Sequence, residues 1–284
     1  MGHGRHWSAL DPDVEGLIER ALPPLLQQGR LGLTGTFVSV GHDGVARTEE
    51  VAEIVLGDGP IRLAALVTSD TTTPDDGRFF QTAYPLCWDG MPNAVRVERV
   101  VHPADDEILE ARLEGVYCDD DDDVCALAFY NPYFFAHADR YQPGETYPFL
   151  LAGLAYHLAP AVANEIVVTE GDILELERER IRREDPDADA SAVTSVTVSI
   201  DGMRYLFPDP ACPDDVGFRT ILEEVGFTEV LGMGVYRLRA SFLHHARRPL
   251  ALYIYASETV LGDYRPAVGD RVEGTLWLQG RLAE

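Results

Sequence analysis

Two stretches of this chain echo each other, and no other feature narrows its possible folds as much. Leu127-Ala128-Phe129-Tyr130, followed by Tyr141 and Pro143, returns as Leu250-Ala251-Leu252-Tyr253, followed by Tyr264 and Pro266, at a constant separation of 123 (250 − 127). Two inserted residues later, Gly144-Glu145 corresponds to Gly269-Asp270, and Tyr147 to Leu151 corresponds to Val272 to Leu276. β-Branched and aromatic residues suit a pleated, half-buried surface, and Gly or Pro interrupts it. Each copy therefore reads as a strand, a polar excursion, a Pro/Gly turn and a second strand. Recurrence of such a unit predicts an internal duplication.

The expected fold class is α+β and β-rich, with two related halves, each a curved antiparallel sheet or small OB-like barrel, and a few peripheral helices. The Gly-Asp-x-Val-x-Gly pattern from Gly269 to Gly274 is similar to strands of OB-like barrels. The expected boundaries are an N-terminal β-rich half with a leading helix over 1–163, a helical connector over 164–190 and a C-terminal β-rich half over 191–284.

Along the chain, Asp11-Pro12 reads as a helix cap followed by proline at the first helical position. Val14, Leu17, Ile18, Ala21, Leu22, Leu25 and Leu26 then recur at helical spacing. Pro23 and Pro24 predict a kink or break before Gly29. Short β-like pieces follow from Leu33 to Thr68, from Ala94 to Val101 and from Ile108 to Tyr117. Asp172 to Asp185, with acids and arginines at helical spacing, predicts a solvated helix. Ser195 to Ile200, Asp201-Gly202 and Arg204 to Phe207 read as a hairpin. Pro213-Asp214-Asp215 reads as the start of a short helix that Gly226 ends.

Charge excludes some functions. The chain of 284 residues carries 48 acidic and 23 basic side chains, a formal net charge of −25, and it contains no lysine. Nucleic acids are held mainly by cationic side chains on phosphate, so nucleic-acid binding and docking on acidic membranes are disfavoured. The longest apolar run, Phe149 to Ala163, is shorter than the roughly 20 residues that span a bilayer. Cys87, Cys118, Cys125 and Cys212 make no CxxC pair and no zinc-ligand spacing. Free thiols in a reducing cytoplasm are expected, and Met1 to Leu10, with His3, Arg5 and His6, lacks the apolar core of a signal peptide.

No P-loop, HExxH or GxSxG motif occurs, and Gly232-Met233-Gly234 has Arg237 where a dinucleotide loop needs its third glycine. No cofactor is expected. The candidate metal ligands are the acid run with Asp119, Asp121 and Asp123, and His102 with Asp105 and Asp106, since hard cations need several oxygen ligands and imidazole beside carboxylates suits metals. The acid run lacks the Asp-x-Asp-x-Asp-Gly turn of an EF-hand, and it contrasts with a basic run, His244-His245-Ala246-Arg247-Arg248, at the matching place of the second copy. Adjacent His244 and His245 on a strand face opposite sides and do not chelate one ion together. The repeated tyrosines are expected to be structural. The functional expectation is a cytoplasmic, acidic binding protein that recognises a basic protein surface, with a metal-assisted hydrolase built from dispersed residues as the alternative.

The charge imbalance has a measurable consequence. Repulsion between exposed like charges is screened over about 10 Å at 0.1 M salt and about 3 Å at 1 M, whereas exposed ion pairs lost to screening contribute only about 0 to 1 kcal/mol each. The thermal midpoint is expected to rise with both sodium and potassium chloride toward molar concentration. A midpoint that falls steadily with both salts would show that the acids sit in favourable networks.

Overall fold

The computed structural model describes residues 3–40, 46–70, 78–102, 109–119, 122–162, 165–243 and 247–283. Chain contacts divide it into two compact units, Met1–Ala159 with Arg204–Glu284, and Pro160–Met203. This division does not follow the boundaries expected from sequence, because strands from both sides of the connector belong to the larger unit.

The larger unit opens with a 3-10 turn, His3–Ala9, and helix α1, Val14–Gln28. The Asp13 side chain caps α1 by accepting from the Gly16 amide, and the Gly29 amide donates to the Leu25 carbonyl at its end. Leu17, Ala21 and Leu25 form its buried stripe. Of the kink or break expected at Pro23 and Pro24, the break does not occur, since the helix runs through both prolines. Glu19 and Arg20, whose carbonyls lose their helical donors to these prolines, are exposed, so solvent meets those groups and the apolar stripe holds the helix together.

Four strands follow, β1 (Arg30–Val40), β2 (Ala46–Leu56), β3 (Ile61–Asp70) and β4 (Phe79–Cys87), paired antiparallel in that order. Next come β5 (Met91–Val101), β6 (Ala111–Asp119), β7 (Asp122–Asn131), the single turn α2 (Phe134–His137) and β8 (Thr146–Pro160). The smaller unit contributes β9 (Glu165–Val168), α3 (Asp172–Glu184) and β10 (Val196–Ser199). The larger unit resumes with β11 (Tyr205–Asp209), β12 (Cys212–Val230), β13 (Met233–Phe242), β14 (Leu250–Ser257), the turn α4 (Glu258–Leu261) and β15 (Arg271–Leu282).

Strands β5 to β8 and β11 to β15 form one sheet, in which β8 bonds to β5, β14 and β15, and β15 bonds to β8, β7 and β12. Two closed circuits result, β8-β5-β6-β7-β15 and β15-β12-β13-β14-β8, which share the pair β8 and β15. Their ladders have one register at a separation of 125 (221 − 96). Arg96 faces Thr146 and Ile221 faces Arg271; Val100 faces Leu113 and Val225 faces Leu238; Arg112 faces Tyr130 and Arg237 faces Tyr255. The turns agree as well. The Gly144 amide donates to Val97 O at 2.7 Å and the Gly269 amide to Leu222 O at 2.8 Å, with φ of 90° and 91°, a backbone region that favours glycine. The ladders match Tyr130 to Tyr255, two residues from the Tyr253 that the sequence echo selects.

Alternation along the strands fills two cores. Val97, Leu113, Phe129 and Phe149 of one circuit pack with Phe218, Leu238, Ile254 and Leu276 of the other. The opposite faces of β7, β8, β14 and β15 turn Tyr130, Leu154, Tyr255 and Trp277 toward α1 and the β1–β4 sheet. Gln279 ties the two layers by accepting from the Cys87 amide and donating to Pro85 O, both at 2.9 Å.

Two local expectations are corrected. Pro213 to Gly226 is strand, because Val216, Phe218, Thr220 and Leu222 alternate into the core, and the Asp214 and Asp215 carboxylates bond to Trp277 and Tyr156 in place of helix amides. The Asp201-Gly202 turn is present, with Gly202 at φ 72°, but β10 pairs with β9 and β11 with β12, so no hairpin forms. In the smaller unit α3 forms as expected, with Arg180 bonded to Glu177 and Glu184. Among the described residues no helix is long and apolar enough to cross a membrane.

Candidate functional site

A group of polar and aromatic side chains converges where the His3–Ala9 turn lies on β4. Trp7, almost wholly buried, anchors the turn through its indole N–H to Ala83 O at 3.1 Å. That anchor sets His3 against Glu110, Nε2 to Oε1 2.8 Å, with Tyr84 and Tyr130 at 4.9 and 5.1 Å between ring centres. His6 stacks flat on Trp277, centres 3.8 Å apart and planes 10° apart. Its Nδ1 lies 2.5 Å from the Tyr156 hydroxyl, which lies 3.0 Å from Asp215 Oδ1. A carboxylate only accepts, so Tyr156 donates to Asp215 and its oxygen accepts a hydrogen bond from the Nδ1–H of His6.

The outer end of this relay opens into a cleft of about 660 Å³ lined by Tyr156, Tyr205, Phe207, Asp209, Asp215 and Glu273, among others. The long strand β12 makes its floor. A Cβ on Gly217 would come within 2.7 Å of the Phe207 ring, so glycine lets that ring lie on the strand. Arg5 enters the cleft, its guanidinium 5.6 Å above the Tyr156 ring and ion-paired with Asp215. Its side chain remains 58% exposed. A carboxylate beside an aromatic face is a seat for a cation.

Burial above all, then the charges of His3 and Arg5, pushes the His6 pKa down to about 3. Burial raises that of Tyr156, against the pull of Arg5. Near neutral pH the imidazole is therefore uncharged and the phenol protonated. Neither is poised to take up or release a proton, so the relay fixes the orientation of Asp215.

The residues singled out from sequence lie elsewhere. Asp119 accepts from the amides of Arg247 and Arg248, so the acidic run meets the basic run through that carboxylate. His102 sits at the end of β5, Nδ1 3.3 Å from Glu110 O, and edges Phe134. Asp105, Asp106, Asp121, His244 and His245 lie outside the described residues, as does the side chain of Asp123. Among the described residues no three His, Cys, Asp or Glu side chains gather as a metal site. Tyr141 accepts from Asn131 and Tyr264 donates to Asp270, bonds that fix their turns. Sequence reasoning missed Arg5, His6, Tyr156 and Asp215, which meet only in three dimensions. The available signal was a His-x-x-His-Trp run ahead of a helix cap, with no partner legible for it.

Because His6 titrates near 3 in the fold and near 6.5 when unfolded, the unfolded chain binds the extra proton between these values. Its contribution is complete above about pH 6.5 and is lost as pH falls toward 3, with a slope of about 1.4 kcal/mol per pH unit. Urea unfolding of the native chain and of His6→Gln is expected to show that difference in slope; parallel curves would mean that His6 is protonated in the fold. Comparison of the chain with family models, with curated proteins and with solved structures finds no match.

Proposed function

We propose that this is a cytoplasmic binding protein whose cleft takes a basic side chain, arginine above all, from a partner protein. The observation that supports this reading is the placement of Arg5, a guanidinium held by a buried carboxylate over an aromatic ring. That seat is built independently of its occupant, since Asp215 is oriented by Tyr156, Tyr156 by His6, and His6 by its stack on Trp277. The exposed ring of Phe207 and the carboxylates of Asp209 and Glu273 extend it for residues flanking the arginine. A net charge of −25 favours encounter with basic partners and disfavours nucleic acid. A reducing compartment accords with the four free cysteines. Nothing among the described residues favours the metal-assisted hydrolase.

With this reading goes a second, that the two circuits are related halves, each a small barrel, descended from a duplication. The common ladder register at a separation of 125 and the matched glycine turns support it.

Arg5 competes with any incoming arginine, so removing it should tighten binding by about the factor by which it occupies the seat. Titration with a short arginine-rich peptide is expected to show at least about tenfold tighter binding to Arg5→Ala than to the native chain, and loss of that gain in Arg5→Ala/Asp215→Asn. Equal, or no, binding of the peptide by the native chain and Arg5→Ala would refute the proposed seat.

A further inference from the structure

A second cleft, built from other residues, lies over the start of β1 and β2. Leu31 pairs with Ile54 and Thr34 with Ala52, so Gly32 and Leu33 together stand opposite the single residue Glu53. Such a bulge re-aims side chains and frees backbone groups from the ladder. Here it makes room for a carboxyl group, since a Cβ on Gly32 would come within 2.3 Å of Glu53 Oε2. Glu53 is 1% exposed; among the described residues Oε2 meets only the Leu33 amide, at 3.4 Å, and Oε1 has no hydrogen-bond partner. A buried polar atom left unpaired is costly, and Glu53 is one of the residues lining a cleft of about 440 Å³.

The same cleft is lined by two arginines, Arg30 and Arg62, beside Glu53 and Asp58, and a third arginine, Arg281, reaches the Trp88 ring on its wall. The Arg62 guanidinium lies 3.6 Å over the Trp88 ring and that of Arg281 lies 4.9 Å from it. Among the described residues neither forms an ion pair with a carboxylate; Arg62 donates to Gly59 O and Arg281 to Trp88 O. At the rim Arg30 is paired with Asp58. Leu33 and Val55 supply an apolar wall.

We propose that this cleft binds a small monocarboxylate with a short aliphatic tail, its carboxylate on Arg62 and the Glu53 carboxyl, its tail on Leu33 and Val55. A planar guanidinium suits a planar carboxylate, and the unpaired Glu53 oxygen gains a partner on binding. The groups facing Glu53 are the Leu33 amide on β1, Arg62 on β3 and Tyr84 on β4, with Tyr133 beside Arg62. Burial chiefly, against the Leu33 amide and Arg62, raises the Glu53 pKa to about 7. Below that pH the neutral carboxyl donates to the bound anion; above it the carboxylate repels the anion.

The test is NMR titration of the full chain with butanoate, following the Gly32 and Leu33 amides, with inorganic phosphate in parallel. Saturable shifts are expected with butanoate, about tenfold tighter at pH 6 than at pH 8, following the neutral fraction of Glu53. Glu53→Gln should bind equally at both pH values, and Arg62→Met should lose binding. If Arg62→Met does not fold, the pH dependence and the phosphate comparison in the native chain decide. No saturable shift with butanoate, equal binding of phosphate, or equal affinity at pH 6 and pH 8 would overturn the proposal.

Discussion

The two antiparallel strands β8 and β15 are the constraint on which the rest of the larger unit depends. Each belongs to both hydrogen-bonded circuits, so neither circuit closes without this pair. Their close approach requires glycine. A Cβ on Gly274 would come within 2.0 Å of His157 O, and one on Gly153 within 2.5 Å of the Leu276 side chain. Overpacking of a filled core typically costs about 1–3 kcal/mol, and contact with a backbone oxygen has less means of relaxing than contact with a side chain. The strands then divide their faces, with Leu276 and Leu278 inward toward the shared core and Trp277 and Gln279 outward toward the β1–β4 sheet.

That outward face gives the candidate seat its position. Trp277 is the platform for His6, and β12, bonded to β15, carries Asp214 and Asp215 to the same end. The polar relay from His6 to Asp215 is therefore held by rigid strands at one side and by a short turn at the other. The bulge cleft rests on a different device, a local extra residue in an otherwise regular ladder. Both places hold a buried ionisable group whose pKa is moved by burial in opposite senses of charge, and both groups are neutral in slightly acidic solution. Such shifts are common where binding or catalysis occurs.

Much of the strand content was legible, because β-branched and aromatic runs bounded by Gly and Pro have few alternatives. The separation at which the ladders of the two circuits coincide, 125, is the one the sequence shows only after the turn, at Gly144 and Gly269. A strand's side chains repeat their facing every two residues, so a slip of two leaves Tyr130 facing like Tyr253 as well as like Tyr255, and sequence similarity cannot separate them. The ladder hydrogen bonds do. Pro213 to Gly226 misled because a Pro-Asp-Asp start and a closing glycine suit a helix, while the partners that hold it as strand, Trp277 and Tyr156, are distant in sequence. The site was illegible for the same reason, since Arg5, Tyr156 and Asp215 span 210 positions (215 − 5) and no local spacing links them.

Native-state hydrogen exchange tests the central claim, that shared strands make the two circuits one cooperative structure. The amides to follow are those of Val97, Leu113 and Phe129 in one circuit and Phe218, Leu238 and Ile254 in the other, over a range of urea below the unfolding transition. Both sets are expected to merge into a single isotherm at the global unfolding free energy. Exchange of either set through a separate opening of lower free energy, with the other still protected, would contradict it.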